Sequence, residues 1–403
     1  MKNWRAGVAV AAVLATAGVG AGLLRSVAPP TGYVPLRVIT LLLTLVLVGA
    51  MFRNLVRFVF RNYLVVGFVA WSLVGLVWSE DRISTLTTVA GLGAIALLGA
   101  AMALLGRSLD IGMVLMWTFT ATSLGSLLLV IAAPQVGAVW VSHPTEGLTF
   151  QPIGLFAWNS DLGFSAAVAA ILALAAAFTK RSWWLLLVVA FNGFMVWYSN
   201  SAASMITLLI ASLALLLMQG WRWAVGLGAV AIIGAAAGML ALTPVGFLDR
   251  LLGLLGRSSN LTGRVNLWAE TLAQAMSHPV LGAGAGVEPD LAKLTTAIHS
   301  HNGFIQVFFD RGAVGILLFA ALIVMAVVRA ARNRDTTAAT LIVAVVIANL
   351  ANNYLTYASL GLLLLLWVSY RGVEHRDAAA EGAVVRNSGD VMIKPTGSGS
   401  TEW

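Results

Sequence analysis

Apolar runs of about twenty residues recur along this chain, and no other feature limits its fold so strongly. A bilayer core of about 30 Å takes roughly 20 helical residues, or about 17 at the short end. In lipid, only helices and closed barrels satisfy their own backbone. On that length scale the runs fall near 6–24, 36–52, 63–78, 86–105, 111–132, 161–178, 183–198, 202–217, 223–242, 313–328, 338–353 and 355–370. They predict an all-α polytopic membrane protein with about twelve transmembrane helices. Only 10% of the residues are charged, against roughly 25% in soluble domains. Cysteine is absent, which removes disulfides, thiolate nucleophiles and cysteine metal sites.

The net charge of +8 raises the question of nucleic acid, but its placement answers for the membrane instead. With the N-terminus cytoplasmic, sixteen of the 24 basic residues fall in inside segments and eight in outside ones, as the positive-inside rule requires. Five of those eight (Arg250, Arg257, Arg264, Lys293 and Arg311) share one long loop. The expected layout is a single transmembrane domain over 1–376, both termini inside, with outer loops at 134–160 and 243–312. The small, polar stretch 377–403 reads as a disordered cytoplasmic tail. The implied partner is a lipid bilayer, not nucleic acid.

Loops this long are uncommon without a function, and 243–312 has helical patterning of its own. "VGFLDRLLGLLG" (245–256) is amphipathic and interfacial in character, with Asp249, Arg250 and Arg257 among its polar groups. "NLWAETLAQAM" (266–276) spaces Leu267, Trp268, Leu272 and Met276 helically. "HNGFIQVFFDRG" (301–312) sets Phe304, Ile305, Phe308 and Phe309 on one face before a glycine stop.

No phosphate loop, Asp-x-Asp pair or HExxH occurs, and "GAGAG" (282–286) lacks the Lys-Ser/Thr of a phosphate loop. Neither a metal nor a cofactor is expected. The polar groups that remain lie on the outer face. Arg264 is suited to holding phosphate oxygens through paired hydrogen bonds, the alternative being an arginine reaching to lipid headgroups. His301 has the titration range of a general base, and His299, two residues away, competes for that role. Asn302 fits a helix N-cap as well as a substrate contact. Glu80, Asp81 and Arg82 form either a self-neutralising interfacial cluster or part of a site.

These segments resemble the O-antigen ligase and O-antigen polymerase superfamily. "SNLTGRVNLWAETLAQAMSHPVLGAGAG" (259–286) and "HSHNGFIQVFFDRGAVGILLF" (299–319) carry in order Gly-Arg-x-x-x-Trp, Pro-x-x-Gly-x-Gly, His-Asn-x-x-Ile-Gln and Gly-x-x-Gly. "WSLVGLVWSEDRISTL" (71–86) and "GLFAWNSDLG" (154–163) match more weakly. The resemblance implies a fold similar to membrane glycosyltransferases. It implies glycan transfer from an undecaprenyl-diphosphate carrier to a glycan, lipid or protein acceptor on the outer face of a bacterial cytoplasmic membrane, without a metal. On that reading Arg264 and His301 are catalytic, while Asn302, Arg82, Asn159, Trp268, Arg257 and Gln306 contact substrate. Two departures stand out: Ala202 where the family usually has a basic residue, and Asn159-Ser160 where it often has Lys-Asn.

Two other classes compete. A flippase or transporter for a lipid-linked saccharide would keep charged groups within its spans, whereas here they are expected on the outer face. A non-catalytic envelope-assembly component gains support only from the two departures.

Overall fold

The computed structural model describes residues 3–19, 33–60, 62–106, 108–143, 147–220, 264–291, 299–354, 356 and 359–371. The helices, in chain order, are α1 (Asn3–Thr16), α2 (Tyr33–Phe60), α3 (Tyr63–Val74), α4 (Arg82–Leu105), α5 (Ile111–Ala132), α6 (Asn159–Lys180), α7 (Leu185–Tyr198), α8 (Ala202–Gly220), α9 (Arg264–Ala275), α10 (Gly303–Arg332), α11 (Thr336–Ala351) and α12 (Leu360–Arg371). An antiparallel hairpin, β1 (Ala138–His143) with β2 (Gly147–Pro152), stands between α5 and α6. Among the described residues five helices are long and apolar enough to cross a membrane (α4, α5, α6, α8 and α10), and six shorter apolar ones accompany them. The chain is a multi-pass membrane protein. The expected span at 223–242, the interfacial helix at 245–256, Arg257 and the tail from 377 lie outside the described residues.

Short acceptor side chains mark where helices begin. Asp81, Asp110 and Asp335 each accept from the backbone N–H three residues on, at 2.9, 3.1 and 3.0 Å, the bond an N-cap supplies. Inside the helices Thr44, Ser72, Thr120 and Thr340 return their hydroxyls to the carbonyl four residues back, so an apolar setting leaves none of these unmet.

The core is built on α6. Its "AAVAAILALAAAF" presents small side chains on every side, and such helices let neighbours approach closely; α5, α7, α8 and α11 all pack on it. Tyr354 stacks on Phe164 of α6 at 4.8 Å. At one end of the bundle, charges pair across helix ends: Lys180 with Asp110 at 2.7 Å and Arg371 with Asp335 at 3.2 Å. The polar site described below occupies the opposite end.

Two elements differ from the sequence expectation. Helix α2 continues past residue 52 to Phe60, because Arg53 and Arg57 lower hydropathy without breaking a helix and neither Gly nor Pro intervenes before Phe60. The expected outer helix 302–311 and span 313–328 form one kinked element, α10. Gly312, at φ 63 and ψ −164, bends the helix instead of ending it. Of the expected apolar face only Phe309 is buried in its first turns: Gln306, Val307 and Asp310 turn inward with it, while Phe304, Ile305 and Phe308 are half-buried.

Candidate active site

The kink at Gly312 creates a demand that the motif before it meets. Breaking the helical ladder strands the carbonyls of residues 309–311 and the N–H groups just beyond. The Pro-x-x-Gly-x-Gly segment lies against them. Ala283 and Gly284 donate to the carbonyls of Phe309 and Asp310, each at 2.9 Å, and Ala313 donates to Pro279 at 2.8 Å. The third carbonyl, that of Arg311, accepts from the Trp71 indole at 3.0 Å. Trp78 donates to Gly282 at 3.0 Å and Ser84 to Gly286 at 2.5 Å, which ties the "WSLVGLVWSEDRISTL" segment to the same joint. Backbone meets backbone closely enough here that a Cβ on Gly282 would stand 2.5 Å from the Gly312 nitrogen.

At the start of α10, Asn302 caps the helix by accepting from Phe304 and Ile305 at 3.0 and 3.2 Å. Its amide also donates to Leu350 at 3.3 Å, and Gly303 donates to Asn352 at 2.9 Å. The N-terminus of α10 therefore abuts the C-terminus of α11. Arg264, the first residue of α9, reaches the same place and donates from Nη1 to the Ala351 carbonyl at 2.8 Å. A cation at the carbonyl end of a helix is favourably placed against the helix dipole. The α11 terminus thus brings Arg264 and the "HSHN" turn together.

In that turn His301 is left-handed, at φ 52, a conformation uncommon outside glycine, though His, Asn and Asp adopt it more often than other residues. Its N–H donates to His299 Nδ1 at 3.2 Å, and the two rings meet edge to face at 4.3 Å. Because Nδ1 of His299 accepts, any proton on the neutral ring sits on Nε2. Burial first, then the nearby Arg264 charge, pushes His299 down to about 4. Burial, His299 and Arg264, in that order, push His301 down to about 3. Both imidazoles are neutral near pH 7, which is the form of a base, not of a cation.

The other expected residues are placed as follows. Trp268 lies one turn beyond Arg264 on α9, and its buried indole N–H has no hydrogen-bond partner among the described residues. Arg82 is exposed at the first position of α4, beside the Ser84 link to Gly286. Asn159 begins α6 and donates to the Ser199 and Asn200 carbonyls at 3.0 and 3.4 Å, closing the turn between α7 and α8. Gln306 is 3% exposed, with both ends of its amide held inside the protein. It faces the interior rather than the space around His301. Sequence reasoning missed the receiving end of α11 and the buried pair Asp310–Arg311. The polar string "NLANNY" (349–354), which interrupts two apolar runs, was the available signal for the first.

A helical membrane bundle with an arginine and two neutral imidazoles gathered at one end defines the class: a multi-pass membrane protein with a polar site at the mouth of its helices. Residues 187–320 match the family described as O-antigen ligase. Over 210 residues it is 28% identical to the exopolysaccharide production protein ExoQ of Rhizobium meliloti (strain 1021), a match covering 45% of this chain and 47% of that protein. The chain thus spans about half the length of this curated relative. Among solved structures, a chain described under "Structural coordination of polymerization and crosslinking by a peptidoglycan synthase complex" is similar at a TM-score of 0.40 and 18% identity, covering 78% of this chain and 96% of that one.

Proposed function

We propose that the protein is a glycosyltransferase of the ligase or polymerase type. It moves a glycan from an undecaprenyl-diphosphate carrier to an acceptor hydroxyl at the outer face of the bacterial cytoplasmic membrane, with both termini and the Lys180–Asp110 end inside. The observation that carries this is the convergence of Arg264 and His301 on the end of α11. The family match and the polysaccharide role stated in the ExoQ name support it.

The acceptor oxygen attacks the anomeric carbon as the bond from that carbon to the phosphate oxygen breaks. The diphosphate leaves with the electron pair, and the acceptor proton passes to His301. Arg264 offsets the charge that grows on the leaving group, where a fixed donor acts most strongly. The two roles are linked. Arg264 depresses the basicity of both imidazoles, and a diphosphate beside it would offset that cation. His301 therefore becomes a better base when the donor is in place. Trp268, whose indole N–H has no partner among the described residues, Asn302, Arg82, Asn159 and Arg257 are assigned to substrate contact.

The test is transfer from a purified undecaprenyl-diphosphate glycan, with and without EDTA. His301→Ala should cost about 10²–10⁴ in rate with normal membrane insertion. Arg264→Lys should cost roughly 10–10²-fold, the size of one charge-assisted bond, because a point charge cannot reproduce a forked donor. Wild-type turnover by His301→Ala overturns the base assignment, and loss of transfer in EDTA redirects attention to the carboxylates Glu80 and Asp81.

A further inference from the structure

Building on the transferase reading, we propose that Gln306 and Asp310 are positioning residues, which hold the turn carrying His301 in its left-handed conformation and so aim the base. The support is a continuous buried chain of hydrogen bonds. Ser300, Gln306, Asp310 and Arg311 are 0%, 3%, 2% and 1% exposed. Arg311 anchors it: its guanidinium donates to Ser72 Oγ at 2.7 Å, the Thr356 carbonyl at 2.9 Å and Asp310 Oδ2 at 3.2 Å, and it lies 5.0 Å over the Phe68 ring. The Asp310 carboxylate also takes the Gln306 amide, at 3.0 Å.

That last bond sets a direction. A carboxylate paired with arginine only accepts, so the NH2 end of Gln306 must face Asp310. Its oxygen then faces the Ser300 N–H, at 3.0 Å. Ser300 in turn closes around His301, donating from Oγ to the Asn302 carbonyl at 2.9 Å and accepting from the Asn302 N–H at 3.3 Å. Strained backbone of this kind persists only where the surroundings over-determine it. The helix start does not require this chain, because Asn302 already caps α10. What the Gln306–Ser300 bond adds is control of the residue just before the cap, which is His301.

The experiment measures kcat and KM for the lipid-linked donor, with thermal unfolding in detergent alongside. Gln306→Met removes both bonds without adding charge. It should lower kcat by about 10²-fold, the cost of a misplaced reacting group, with KM unchanged because Arg264 is untouched. The paired variant Gln306→Glu with Asp310→Asn reverses the bond: the new amide donates, and the relocated carboxylate still accepts from Ser300 N–H. That pair should recover to within about tenfold of wild type, as coupled neighbours do. Wild-type kcat in Gln306→Met overturns the proposal. So does a joint fall of kcat, donor binding and unfolding temperature with no recovery in the pair, which marks a purely structural role. His301→Ala run in parallel separates the two levels. If it transfers glycan, the base reading fails; if it is inactive while Gln306→Met is normal, only the positioning fails.

Discussion

The histidine turn should be silent over the pH range in which imidazole ordinarily titrates. His301 is half-buried against His299, with Arg264 nearby, and its pKa falls from 6.5 to about 3, while that of His299 falls to about 4. The sign follows from proton binding. Below about pH 6.5 the unfolded turn takes up protons that the folded one refuses, so the turn's stability is constant above that pH and declines as acid is added toward pH 4. A 13Cε1 titration of the five histidines in nanodiscs, assigned with His299→Ala and His301→Ala, should find both imidazoles neutral from pH 8 to about 5. The acid limb of kcat/KM, which reports the free enzyme, should then lie below about pH 5. The acid limb of kcat should lie at higher pH, because bound diphosphate offsets the Arg264 charge. A free-protein midpoint for His301 between about 6 and 7, or the two limbs in the opposite order, would refute the argument that burial and Arg264 govern this turn.

Gly312→Ala should cost about 1–3 kcal/mol in backbone strain, and more from overlap with the Val280 carbonyl and the Leu281 nitrogen, the latter 2.6 Å from the new carbon; a lower unfolding temperature in detergent checks it. Since the chain has no cysteine, Glu288→Cys should react with an impermeant maleimide in intact cells and Arg332→Cys should not; the reverse pattern overturns the orientation. Ala202→Arg, at a half-buried position opening α8, should fold and retain transfer. Loss of both would show that this corner packs too tightly for a side chain aimed at the donor.

Much of the helical order was legible because hydropathy and length report spans directly. The start of α10 was legible too, since Asn302 is a cap residue in front of an apolar run. The hairpin 138–152 went unread, although "AVWV" and "LTF" flank the turn-like "HPTEG" and alternate as strands do. Gly312 was taken as a stop because sequence shows a glycine's freedom but not what will satisfy the bonds it breaks. Gln306 was placed with the substrate for a similar reason. A polar residue in a matched motif looks like a contact until its partners are known, and the partners Asp310 and Ser300 settle its direction only in three dimensions.

The departures at Ala202 and Asn159-Ser160 have a consistent physical account. At that corner Asn159 donates to the carbonyls of Ser199 and Asn200, and Ser201 and Ser204 share a hydroxyl bond at 2.9 Å. The turn between α7 and α8 is thus tied by hydrogen bonds among its own polar groups. Among the described residues Arg264 is the cation whose field reaches both histidines. On the proposed reading this guanidinium, held by the end of α11, exchanges its influence on the imidazoles for a donor phosphate. On that reading the base responds to the donor, and the separation of the two pH limbs measures that response.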